Sequence, residues 1–79
     1  MALVSAIERS LKERQGVHQP TRCLYSIIHS SKGSHYLQLD TYGSEERLHP
    51  EKISQSIQFD RAGASQLLAI LKECFPDIS

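Results

Sequence analysis

The chain has 79 residues, enough for one domain (1–79) near the lower limit of a self-sufficient core, and 39% hydrophobic residues with no Trp keep that core modest. Nine basic and nine acidic residues cancel, which argues against indiscriminate polyanion binding while leaving room for a local basic patch. Two cysteines make no disulfide framework, no apolar run approaches the ~20 residues of a membrane span, and no basic-then-apolar leader opens the chain; a soluble, cytoplasmic protein is expected.

Residues 1–15 read as a short amphipathic helix. Leu3, Ile7 and Leu11 lie four apart, charged residues fill the other faces, and Gly16 is a good terminator. Residues 16–20 are a linker. Residues 21–29 then alternate as a strand with two largely apolar faces, Cys23, Tyr25 and Ile27 against Leu24, Ser26 and Ile28. Such a strand is expected to be covered on both sides, by the helices or by a partner subunit. A hairpin loop containing Gly33 follows. Residues 35–42 form the next strand, with Leu37 and Leu39 inward and Tyr36, Gln38, Asp40 and Tyr42 outward. Residues 43–52 are polar and broken by Pro50, a solvated loop with space for a short fourth strand.

The clearest stretch comes last. Ile53, Ile57 and Phe59 share one strand face with Gln55, and Asp60 is a preferred N-cap. Ala64, Leu67, Leu68, Leu71, Cys74 and Phe75 then recur three and four apart, and Pro76 ends the helix. The stripe predicts Leu67, Leu68 and Leu71 buried against Ile53, Ile57 and Phe59, with Cys23 and Cys74 also buried. The expected fold is α+β: an N-terminal helix, a three- to four-stranded antiparallel β-meander, and a C-terminal helix packed on the sheet.

Catalytic chemistry finds no footing. The four histidines and two cysteines fall in no metal-ligand spacing, although His29 and His35 flank the hairpin loop and could approach across it. No serine sits in a nucleophile elbow. The expectation is a non-enzymatic protein with no metal and no cofactor. The outer sheet face is more suggestive. Tyr36, Gln38 and Tyr42 stand among hydrogen-bonding side chains, and tyrosine stacking contributes ~1–3 kcal/mol per base in single-strand binders. Arg22, Lys32, Arg47 and Lys52 could meet phosphates at the edges of this face. Asp40 and the Glu45-Glu46 pair would repel a phosphate backbone and favour a protein-interaction module instead, an accessory subunit or an inhibitor.

The run Tyr36-Leu37-Gln38-Leu39-Asp40-Thr41-Tyr42, a polar loop, then Lys52-Ile53-Ser54-Gln55-Ser56-Ile57-Gln58-Phe59 and an Asp-capped helix resembles the positive-cofactor type of transcription coactivator domain. The resemblance covers about residues 21–75 and rests on element order. It implies a curved antiparallel sheet followed by a helix, a homodimer, and single-stranded DNA on the sheet; single-stranded RNA is a further candidate partner of the same face. Single-stranded nucleic-acid binding through Arg22, Lys32, Tyr36, Gln38, Tyr42, Arg47 and Lys52 is therefore the leading expectation. Protein interaction is the alternative. Self-association is expected on either reading, because both faces of residues 21–29 need cover.

Overall fold

The computed structural model describes residues 1–13, 16–43 and 53–78. Its elements are β1 (Ala2–Val4), β2 (Cys23–His29), β3 (His35–Tyr42), β4 (Ile53–Phe59) and α1 (Arg61–Cys74). The strands form one sheet in the order β1-β4-β3-β2. β2 and β3 are an antiparallel hairpin whose turn closes with Gly33 at φ 85° and the Ser30 N–H donating to the Ser34 carbonyl. β3 and β4 are also antiparallel, with an irregularity in register beside Tyr42.

The expected N-terminal helix is not there. Ala2–Val4 instead pairs in parallel with β4, Ala2 beside Ile57 and Val4 beside Phe59, so the sheet is mixed and not a pure antiparallel meander. An apolar spacing of four is even, and it suits one face of a strand as well as one face of a helix. A lone helix of this length is marginal in water, and the open edge of β4 offers backbone hydrogen bonds that outweigh it. After β1 the chain runs along α1. The Ile7 N–H donates to Gln66 Oε1 at 2.8 Å, Gln66 Nε2 donates to the Ser5 carbonyl at 3.4 Å, and Arg9 pairs with Glu73 at 3.1 Å. That ion pair is exposed and contributes little. Leu11, the third member of the apparent stripe, is fully exposed.

The Asp60 cap forms as its position predicts. Asp60 Oδ1 accepts the Gly63 N–H at 2.8 Å, and its carbonyl accepts the Ala64 N–H at 2.8 Å. At the far end the Phe75 N–H reaches the Leu71 carbonyl, and Lys72 sits in the last turn, where a cation suits the helix dipole. A Cβ on Gly63 would collide with the Val4 carbonyl oxygen. Glycine there lets β1 and the first turn of α1 touch.

The core is smaller than the stripe predicts. α1 meets β3 and β4 near Phe59, which is 7% exposed, the one hydrophobic side chain buried among the described residues. Leu67 is half-buried, while Leu68 and Leu71 stand 56% and 39% exposed and Ile53 is exposed as well. Cys23 and Cys74 are exposed, not buried. β2, as an end strand, is covered on neither face: Leu24, Tyr25 and Ile27 all stand out. The helix touches β3 and β4, yet that contact leaves Leu68 and Leu71 uncovered. No described helix is long and apolar enough to cross a membrane.

The Ser5 hydroxyl donates to Asp60 Oδ2 at 2.7 Å, and this bond, followed by the Gly63 N–H, holds the Asp60 carboxyl below its usual value. With a lowered folded-state pKa, the stabilisation from the ionised carboxylate is present above the ordinary carboxylate pKa. It is lost as pH falls through the folded value. Ser5→Ala is expected to raise the Asp60 pKa toward normal, read by NMR titration of the side-chain carboxyl. An unmoved midpoint would mean that the contact is not formed in solution.

Candidate functional site

Alternation along β3 puts Tyr36, Gln38, Asp40 and Tyr42 on one sheet face, and the register adds Ser56 and Gln58 from β4 and Ser26 and Leu24 from β2. Gln38 lies beside Gln58, and Asp40 beside Ser56. These neighbours are bonded to one another. Gln58 Nε2 donates to Gln38 Oε1 at 2.8 Å, Gln38 Nε2 donates to the two Asp40 carboxylate oxygens at 3.0 and 3.3 Å, and Ser56 Oγ donates to Asp40 Oδ1. Asp40 is only 8% exposed, so the carboxylate expected to point into solvent is buried and supplied with donors.

The candidate residues divide into three groups. Tyr36, Gln38 and Tyr42 share the face as expected, each half-buried. Arg22 joins them: its guanidinium lies over the Tyr42 ring, 4.4 Å from the centroid, and its carbonyl accepts the Tyr42 N–H at 3.2 Å. Lys32 lies apart, in the hairpin turn at the opposite end of β3, its N–H donating to Ser30 Oγ at 3.3 Å. An eight-residue strand separates the two ends by about 24 Å. Arg47 and Lys52, with the rest of the Gly43–Lys52 loop beyond Gly43, lie outside the described residues.

Gln38 is tied to the residues on either side of it. Each end of its amide already has a partner, Asp40 at Nε2 and Gln58 at Oε1, so the side chain is held by its neighbours. Ser56 and Gln58 carry as much of the face as Gln38 does. The alternation of residues 53–59 places them on it, but their pairing needs the register. Met1, Ala2 and Leu3 rim a small concavity of about 220 Å³ over Gln38, Ser56 and Gln58. His29 and His35 do approach across the hairpin, edge to face with ring centroids 4.5 Å apart. Among the described residues no three His, Cys, Asp or Glu side chains gather as metal ligands.

No family model, curated protein or solved structure matches the chain. Its own geometry must carry the functional reading. Besides the polar face, that geometry offers apolar side chains left uncovered: Leu68 and Leu71 on α1, Phe75 at its C-cap, and Tyr25 and Ile27 on β2.

Removing the buried acceptor isolates the polar network as an energetic unit. Asp40→Ala leaves Ser56 and Gln38 donors without their partner and is expected to cost about 1–3 kcal/mol, read from urea unfolding. A variant as stable as the parent would show that the network contributes nothing to folding.

Proposed function

We propose that the chain is a non-enzymatic protein-interaction module that presents α1 to an apolar groove on another protein. The observation that carries this reading is the exposure of Leu68 and Leu71, at positions i and i+3 of the helical stripe, with Phe75 exposed at the C-cap just beyond them. That spacing is the anchor pattern by which an amphipathic helix docks into a groove. In this chain the sheet does not take up the ridge, and burying it elsewhere yields roughly 25 cal/mol per Å² of apolar surface. The zero formal net charge suits a partner recognised by apolar contact rather than by long-range attraction.

Single-stranded nucleic-acid binding is the second reading. Arg22 stacked on Tyr42 favours it, with Tyr36 on the same face to offer a second ring. The buried carboxylate of Asp40, beside Gln38 on the same face, weighs against it.

Two measurements check these readings. The immobilised chain should retain a partner from extracts of its host, and Leu68→Asp, with an unchanged circular dichroism spectrum, should lose it. Equal retention by both would remove the helix ridge from the interface. In fluorescence anisotropy, a short labelled oligonucleotide should show no appreciable affinity even at low salt. Salt-sensitive binding that Tyr42→Ala weakens by ~1–3 kcal/mol would favour the second reading.

A further inference from the structure

We propose that two copies of this chain join through β2, edge to edge and antiparallel, about a two-fold axis at Ser26. This surface is distinct from the α1 ridge. Among the described residues, the backbone of β2 leaves one edge unpaired. The Arg22 carbonyl accepts the Tyr42 N–H at 3.2 Å, and the Ser30 N–H donates to the Ser34 carbonyl at 2.9 Å. In an antiparallel strand the N–H and C=O of one residue point the same way, and the direction alternates along the chain. The even-numbered residues from 22 to 30 therefore direct their groups to β3. Cys23, Tyr25, Ile27 and His29 direct theirs away from the sheet, and among the described residues no strand pairs with them.

An open edge is normally protected by Pro, by charged side chains or by a bulge. Cys23–His29 contains no Pro, Lys, Arg, Asp or Glu, and its pairing with β3 runs without a break. Tyr25 and Ile27, 71% and 60% exposed, flank this edge on one face, and Leu24 is exposed on the other.

The occupant follows from the order of residues in β2, which is symmetric in character about Ser26. A two-fold axis there sets Tyr25 against Ile27 of the second copy, Leu24 against Ile28, Cys23 against His29, and Ser26 against itself. The outward-pointing residues all fall at hydrogen-bonding pairs, and apolar side chains meet one another, Tyr25 with Ile27 on one face and Leu24 with Ile28 on the other. No acid or Lys/Arg side chain is brought against its like. This self-complementarity is what an isologous interface requires. The row Ser26, Gln38, Gln58 would then continue directly into the same row of the second copy.

The register makes the test specific. Ser26 would face its equivalent at a non-hydrogen-bonded pair, with Cα atoms about 4.5 Å apart, inside the range a disulfide spans. With Cys23→Ser and Cys74→Ser as background, Ser26→Cys should form a disulfide-linked dimer on mild oxidation, whereas Leu24→Cys should stay largely unlinked. In sedimentation at micromolar concentration the unaltered chain should show twice its 8.9 kDa mass. Ile27→Pro removes one outward N–H while sparing every bond to β3, and it should shift the chain to monomer. A monomeric unaltered chain overturns the proposal, and if Leu68-dependent capture persists, the helix-docking reading survives without it. A dimer that Ser26→Cys fails to link also overturns it, placing the contact elsewhere.

Discussion

Asp60 is the junction from which the rest of the arrangement follows. Its N–H reaches the Val4 carbonyl at 3.4 Å, its own carbonyl starts α1, one carboxylate oxygen caps the Gly63 N–H, and the other holds Ser5. One residue thereby links β1, the end of β4, the first turn of the helix and the segment that runs beside it. Gly63 completes the junction by leaving room for the Val4 carbonyl. α1 starts from this point, and Leu68 and Leu71 along it stand uncovered.

What the sequence made legible was local. The strand at residues 53–59, its Asp60 cap and the following helix could be recognised from alternation, capping chemistry and spacing, all of which act within a few residues. Residues 1–15 could not, because the choice between helix and strand there depends on the open edge of β4, more than fifty positions away. The helical stripe was correctly placed, yet amphipathicity states only that Leu68 and Leu71 need apolar neighbours. It does not say whether those neighbours belong to the same chain.

The candidate face divides the same way. That Tyr36, Gln38 and Tyr42 share a side follows from strand alternation. That Gln38 is locked between Asp40 and Gln58 follows only from register, which a single sequence does not display. The Arg22–Tyr42 contact likewise appears only once β2 and β3 are paired. The outcome inverts the usual distribution: a carboxylate is among the most buried side chains, while several leucines and isoleucines face outward. The polar network has a structural use in this setting. A slip of one residue between β3 and β4 would separate Asp40 from Ser56 and Gln38 from Gln58, so the network penalises wrong pairings that apolar contacts alone would tolerate.

The shortness of β1 bears on how far an assembly of such sheets can grow. Sheets with two long open edges add neighbours indefinitely and become fibres. Here one edge is Cys23–His29, seven residues long and undefended, whereas the other is Ala2–Val4, after which the chain turns away along α1. Three residues offer too little ladder to template another molecule. Joining at the long edge would therefore exhaust the polymerisable surface, and the product would be a finite particle with a blunt strand at each end.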